Sequence, residues 1–247
     1  MAASASRGRS GVRVVSAGRL VLGIDTAQRF GSIALAGNGN AAAWESLAPG
    51  EHSSGLSRAA ERILSGRGLE LQDLAGIAVS GGPGSFTGLR IGLAWAKGVC
   101  LGLSLELTLV SEHEVNAYRH RQSPGLIATV LPGERGEAQA ALWSGGTGVS
   151  CLWGPERVHE KELVATLREA AGASKVTVAA PELPSPLLES LRGAGFLTAS
   201  ADSLPPTAAA VAELGDRNLL AGRAEDLAAA APSYGRAPNA RKPTPSP

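Results

Sequence analysis

The glycine-rich segment of residues 81–84 is the first candidate for chemistry in this sequence. It follows an apolar run that is predicted to be a strand, and it precedes a helical pattern. A turn of this kind exposes backbone N–H groups and can hold a phosphate. No Lys-Ser or Lys-Thr pair follows its last glycine, so the P-loop pattern is absent. The residues alone leave two interpretations open, a phosphate cradle and a tight turn that requires glycine backbone angles.

The four histidines do not predict a metal site on a helix. Two ligands on one helix face need a spacing of three or four residues, and no histidine here has such a partner at i+4. Each is therefore predicted to be a surface or capping residue. Ser85 and Thr87 could act as nucleophiles, but no histidine is near them in sequence, and helix capping accounts for both. The four histidines are His52, His113, His120 and His159.

The elements that must position these residues follow from hydrophobic periodicity. Residues 20–121 predict the order β-β-β-α-β-α-β-α, with a Gly-Asn hairpin turn at residues 37–40 and helices over residues 52–65, 87–103 and 111–121. The second half predicts a similar order of elements, three strands and then alternating helices and strands, from weaker patterns. It has strand patterns at 126–131, 137–143, 148–152, 175–179 and 196–200, and helical patterns at 160–171, 184–191 and 207–220. Two similar halves predict a duplicated α/β fold.

The helix predicted over residues 87–103 has an unusual composition. Gly88, Gly92 and Ala96 form one line at i, i+4 and i+8, and a second line contains Gly98 and Gly102. Each interior glycine costs about 1 kcal/mol relative to alanine, so close backbone approach must compensate. The helix is also apolar nearly all round. It is either a core helix, or one of its faces meets the sheet and another meets a second protein.

Composition narrows the class of protein. The chain has 44% hydrophobic residues and a net charge of +1, without the basic excess that binding nucleic acid alone usually requires. Any RNA role is therefore expected to be shared with a partner. No run reaches the ~18 apolar residues of a membrane span, and Cys100 and Cys151 are predicted to be buried thiols, so we expect a cytoplasmic protein.

Residues 82–92, Gly-Pro-Gly-Ser-Phe-Thr-Gly-Leu-Arg-Ile-Gly, resemble the signature of the TsaB (YeaZ-type) family. The opening strand that ends in Asp25 and Thr26 also resembles that family, as does the closing pattern at residues 232–238, Pro-x-Tyr-x-Arg-x-Pro. The match is strong over about residues 20–120 and thin between 125 and 230. The signature residues are Gly82, Pro83, Gly84, Ser85, Phe86, Thr87, Gly88 and Arg90.

The resemblance implies a fold and a role. The fold is a duplicated actin-like/Hsp70-like (ribonuclease H-like) ATPase fold with two lobes. The role is that of a non-catalytic subunit beside a TsaD-type catalytic subunit and a TsaE-type ATPase, in the N6-threonylcarbamoylation of the adenosine 3′ to the anticodon of tRNA. ATP and metal are expected on the partner subunits, with no cofactor of this chain's own. Binding of tRNA is expected only through the complex.

The domain boundaries and the partner surface follow from this resemblance and the element order. We predict a disordered extension over residues 1–18, an N-terminal lobe over 19–121, a C-terminal lobe over 122–231 and a Pro-rich basic tail over 232–247. The two long helices of the N-terminal lobe are expected to bind the TsaD-type subunit or a second copy of this chain. Leu93→Glu or Ala96→Arg should then abolish this binding in a folded monomer. The predicted interface residues are Leu56, Ala59, Ile63, Leu89, Gly92, Leu93, Ala96 and Lys97.

An ATP-dependent small-molecule kinase or ATPase of the same fold is the alternative. Enzymes of this fold use two Asp-containing phosphate turns, and Asp25-Thr26 could be a vestige of the first. The second half has no Asp-x-Gly sequence, so the metal clamp for phosphoryl transfer is incomplete. The sequence also departs from the family after residue 131, where Pro132-Gly133-Glu134 replaces the typical Asp-Ala-Arg.

Overall fold

A computed structural model describes residues 19–48, 50–180, 183–200 and 204–234. The predicted extension over residues 1–18 and the tail beyond Tyr234 lie outside the described residues. Ten strands and six α-helices are present within the described ranges. No helix within these ranges has the length and apolar character needed to cross a membrane.

The first sheet has five strands in the order β3-β2-β1-β4-β5. Its strands are β1 (Leu20–Asp25), β2 (Ser32–Gly37), β3 (Asn40–Ser46), β4 (Gly76–Gly82) and β5 (Glu106–Ser111). β1 pairs antiparallel with β2 and parallel with β4, and β4 pairs parallel with β5. Both faces of β1 are covered, because Val21 and Leu22 point to opposite faces and neither is exposed.

Helices α1 (Ser54–Ser65) and α2 (Phe86–Leu103) cover one face of this sheet. Helices α3 (Glu112–Arg119) and α6 (Thr207–Leu220) cover the other. A short 3₁₀ turn, Leu71–Asp73, leads from α1 into β4. Because α3 also packs against Ile127 of the second half, it lies between the two sheets.

The second sheet has the strand order β10-β9-β6-β7-β8. Its strands are β6 (Leu126–Pro132), β7 (Glu137–Ser144), β8 (Ser150–His159), β9 (Val176–Ala179) and β10 (Leu197–Thr198). Helices α4 (Leu163–Ala171) and α5 (Ser185–Gly193) pack on one face. β8 extends seven residues beyond the strand that periodicity predicted. Periodicity missed these residues because most of them are exposed and lack an apolar alternation.

The predicted boundary of the C-terminal lobe is wrong for its last helix. The sequence predicts the bounds of α6 correctly, but α6 packs against the first sheet instead of the second. Small residues on both sides allow this close packing. A Cβ at Gly23 would lie 2.5 Å from the carbonyl oxygen of Ala208, and a Cβ at Gly215 would overlap the Cβ of Ala78.

The chain after α6 also returns to the first sheet. Leu227 and Ala230 pack against the core formed with α1 and α2. The Ser233 N–H donates to the carbonyl oxygen of Gly81 at 2.8 Å. We call the described residues 226–234 the strap.

Candidate functional site

The signature segment joins β4 to α2 and packs on the Asp25-Thr26 turn. The Ser85 N–H donates to the carbonyl oxygen of Ala27 at 2.8 Å, and the Thr26 hydroxyl donates to that of Gly88 at 2.7 Å. A Cβ at Gly88 would overlap the Thr26 carbonyl oxygen, and one at Gly92 would overlap the Thr26 hydroxyl. These contacts within the chain favour the tight-turn interpretation of the segment over a phosphate cradle.

Asp25 lies at the carboxyl end of β1, where the sequence predicts a vestigial phosphate turn. The structure encloses it, since its carboxylate has no exposed surface. It accepts hydrogen bonds from the Ala27 N–H at 2.8 Å and from the Thr207 hydroxyl at the start of α6. Burial raises the pKa of Asp25. The turn is therefore where the sequence predicts it, but α6 covers the carboxylate that would have to meet a phosphate-bound metal.

Glu112 is a second buried carboxyl that sequence reasoning missed. It is the first residue of α3 and has no exposed surface. It accepts from the Ser80 hydroxyl and, at 2.8 Å, from the side-chain amide of Gln28. Burial, together with the nearby charge of Asp25, raises the pKa of Glu112 to about 8. Its position in an otherwise polar helix start gave no signal of burial.

The prediction that each histidine is a surface or capping residue is wrong for His113, whereas His120 is a capping residue at the end of α3, although it is buried. His113 is 1% exposed, and its Nδ1 lies 2.9 Å from the Thr129 hydroxyl oxygen. His120 is 7% exposed. Burial lowers the pKa of each to about 4, so both are neutral at pH 7. Among the described residues, no three His, Cys, Asp or Glu side chains cluster closely enough to hold a metal ion.

A cleft of about 320 Å³ opens between the two halves of the molecule. The β1–β2 turn and the signature segment form one wall, and the β6–β7 turn with Pro132-Gly133-Glu134 forms the other. Two cations, Arg29 and Arg157, and two acids, Glu134 and Glu137, contribute to the lining, so its formal charge is balanced. The departure from the family pattern at residues 132–134 thus lies in this cleft.

The predicted partner interface is wrong in its choice of helix face. The apolar residues chosen for it face the sheet and are buried in this chain's own core, because α1 and α2 turn their most regular apolar stripes inward. Lys97 is half-buried, and its Nζ donates to the Ala230 carbonyl oxygen at 3.0 Å. Ala96→Arg would therefore place a charge in the core. The buried residues are Leu56, Ala59, Ile63, Leu89, Gly92, Leu93 and Ala96.

The opposite face of α2 carries the second small-residue line and is open to solvent. A Cβ at Gly98 or Gly102 would meet no atom within 4 Å, so packing within the chain does not require glycine at either position. Leu101 lies between them and is 76% exposed. We call Gly98, Leu101 and Gly102 the α2 stripe.

An apolar groove runs beside the α2 stripe, between α1 and the carboxyl half of α2. It has a volume of about 800 Å³. Trp95, Val99 and Leu103 of α2 form one side, and Leu64 and Leu69 contribute to the other. The Trp95 indole N–H donates to the Ser57 hydroxyl at 2.9 Å and so joins the two helices.

Comparisons with known proteins find similar sequences and a similar fold. A family model described as "TsaD: tRNA N6-adenosine threonylcarbamoyltransferase" matches residues 46–148. The "tRNA threonylcarbamoyladenosine biosynthesis protein TsaB" of Escherichia coli (strain K12) is 34% identical over 152 residues, which are 57% of this chain and 65% of that protein. The protein of the same name from Bacillus subtilis (strain 168) is 35% identical over 92 residues, 37% of this chain and 40% of that protein.

The matched regions thus span less than two thirds of the length of these relatives. Among solved structures, YeaZ from Pseudomonas aeruginosa superposes with a TM-score of 0.69 at 20% sequence identity, covering 87% of this chain and 99% of that one. This likeness confirms the predicted duplicated α/β fold with two lobes.

Proposed function

Because the chain belongs to the TsaB (YeaZ-type) family, we propose that it is a non-catalytic subunit in the synthesis of threonylcarbamoyladenosine in tRNA. It binds a TsaD-type catalytic subunit, which transfers the threonylcarbamoyl group to N6 of the adenosine 3′ to the anticodon. A TsaE-type ATPase completes the complex. ATP and metal bind to the partner subunits, and tRNA binds to the complex. The protein acts in the cytoplasm.

The α2 stripe is the observation that carries this proposal. Gly98 and Gly102 each cost about 1 kcal/mol of helix stability relative to alanine, and no contact within the described chain compensates for it. A partner helix could approach the backbone closely at these positions. Leu101 and the groove beside it offer apolar surface for the same contact. A TsaD-type subunit or a second copy of this chain could use this face, and we assign it to the TsaD-type subunit.

The enclosure of Asp25 supports a non-catalytic role. A phosphoryl-transfer site needs carboxylates that reach a phosphate-bound metal. The Asp25 carboxylate instead accepts hydrogen bonds from Thr207 and Ala27 inside the fold. The kinase alternative would require α6 to move away from β1, although Gly23 of β1 packs closely against Ala208 and Ala212 of α6.

Leu101→Gln tests the proposal. We expect it to weaken binding of the TsaD-type subunit from the same organism by at least tenfold in a calorimetric titration, because a polar amide replaces apolar contact at the centre of the interface. Leu220→Gln is the matched control, since Leu220 is 67% exposed at the end of α6. Unchanged affinity of the Leu101 variant, or equal loss in both variants, would contradict the proposal.

A further inference from the structure

The groove between α1 and α2 has a floor that belongs to the chain's own core. Leu64 is 2% exposed and is part of the core beneath α1. Trp95 and Val99 of α2 are partly buried and pack against the same core. Leu103, also of α2, is 39% exposed. The groove, with its volume of about 800 Å³, therefore offers apolar surface to a partner.

The charge of the groove has one sign. Glu61 of α1 and Glu70, which precedes the 3₁₀ turn, both line it, and none of its described lining residues is a lysine or an arginine. Both glutamates are exposed. Neither takes part in an ion pair among the described residues, although Glu70 accepts from the side-chain amide of Gln72 at 2.9 Å. Two negative charges therefore lie beside the apolar floor.

The arginines of α1 do not line the groove. The Arg62 Nε donates to the carboxylate of Glu45 in β3 at 3.1 Å, and Arg58 forms an ion pair with Glu51 at 3.6 Å. Both cations are thus paired with acids outside the groove. The Glu61 carboxylate is available to a cation from another molecule.

The charge of the groove limits what can bind in it. Two acids without a cation repel a phosphate-bearing ligand, whether nucleic acid or an anionic membrane surface. A second copy that used the same face under two-fold symmetry would bring the same two acids to the contact. A hydrophobic groove typically binds the apolar face of an amphipathic helix. These properties together favour a helix that is both apolar and basic.

We propose that the groove binds an amphipathic helix of a partner protein, with lysine or arginine residues flanking the apolar face of that helix. Its apolar side chains pack on Trp95, Val99 and Leu103. Its cations lie next to Glu61 and Glu70. The assignment of this helix to the TsaD-type subunit rests on the proposed function, whereas the chemistry of the groove does not.

Two labelled peptides of about 18 residues, long enough to form a helix, test this chemistry with the full chain and without any partner subunit. Both have leucine at the same helical spacing, and the flanking positions are lysine in one and glutamate in the other. By fluorescence anisotropy we expect the leucine–lysine peptide to bind roughly tenfold more tightly than the leucine–glutamate peptide at about 50 mM salt. The difference should shrink at about 500 mM salt, because salt screens exposed charges.

Glu61→Lys locates the binding on the chain. It reverses the charge of an exposed residue and leaves the apolar floor intact, and we expect it to weaken binding of the leucine–lysine peptide roughly tenfold. Glu189→Lys is the matched control, because Glu189 is an exposed glutamate of α5 and the change in net charge is the same. Leu103→Gln should weaken binding roughly tenfold at both salt concentrations, since it removes apolar contact and no charge.

Three results would overturn the proposal: equal affinities of the two peptides, equal effects of the two lysine variants, or no binding of the leucine–lysine peptide to the native chain. Sedimentation equilibrium of the native chain tests the second copy as occupant. A dimer that Glu61→Lys dissociates would assign the groove to that copy and would also overturn the proposal.

A separate titration with the TsaD-type subunit distinguishes the groove from the proposed function. If Glu61→Lys weakens binding of both the peptide and that subunit, the groove and its assigned partner are both supported. If the variant weakens binding of the peptide alone, the chemistry of the groove is supported and its assignment to the TsaD-type subunit is wrong.

Discussion

Replacing Glu112 by glutamine should remove a loss of stability that the native protein suffers as the pH rises. Glu112 is fully buried at the start of α3, and its pKa is raised from 4.5 to about 8. A carboxyl with a higher pKa in the folded state binds its proton more tightly there than in the unfolded chain. This contribution to stability is complete below pH 4.5 and is lost as the pH rises towards 8.

The pKa difference sets the magnitude. At about 1.4 kcal/mol per pH unit, the whole difference corresponds to about 5 kcal/mol, of which about 2 kcal/mol is lost between pH 6.5 and 8. Glutamine has the same shape, can accept from Gln28 and can hydrogen-bond with Ser80, but it does not ionise. The free energy of unfolding of the variant should therefore lack this decrease between pH 6.5 and 8.

Urea denaturation of both proteins between pH 6.5 and 8 measures the effect. The pKa values of His113 and His120 are lowered to about 4, so these side chains affect stability mainly below this range and do so equally in both proteins. We expect the free energy of unfolding of the native protein to fall by about 2 kcal/mol relative to that of Glu112→Gln between pH 6.5 and 8. Parallel curves for the two proteins would refute the argument that Glu112 is held protonated.

Further predictions concern the helices. Gly98→Ala and Gly215→Ala place the same methyl group in two helices. For Gly98→Ala we expect urea denaturation to show a free energy of unfolding higher by about 0.5–1 kcal/mol, because the methyl group meets open space. For Gly215→Ala we expect a free energy of unfolding lower by about 1–3 kcal/mol, because the methyl group overlaps Ala78. Ala96→Arg should not yield a folded monomer by circular dichroism and gel filtration, because Ala96 has no exposed surface. Equal signs for the two glycines, or a folded Ala96→Arg monomer that only fails to bind a partner, would contradict the assignment of the helix faces.

The sequence predicted the elements well but not always where they pack. The apolar pattern of residues 207–220 gave the bounds of α6, because its periodicity is local. Periodicity does not reveal which sheet a helix covers. That choice depends on the fit of Ala208, Ala212 and Gly215 against the small residues Gly23 and Ala78, which are distant in sequence.

The partner face shows the same limit. Gly92 and Gly98 have the same sequence signal, a glycine in an apolar helix, but Gly92 packs on Thr26 and Gly98 faces solvent. A helix that is apolar nearly all round does not indicate which side faces its own sheet. Glu112 was missed because its burial depends on Ser80 and Gln28, two residues of other elements.

Binding of the TsaD-type subunit to a chain with both Gly98→Gln and Gly102→Gln tests the central claim most directly. A Cβ at Gly98 or Gly102 would meet no atom of the rest of the described chain within 4 Å, so the fold should be retained with at least native stability. We expect the calorimetric affinity for the TsaD-type subunit to fall by at least a hundredfold, because the added side chains prevent close backbone approach. Gly193→Gln, at a glycine of α5 that is equally open, should bind as the native chain does. Native affinity of the double variant would contradict the claim that the α2 stripe is the partner-binding surface.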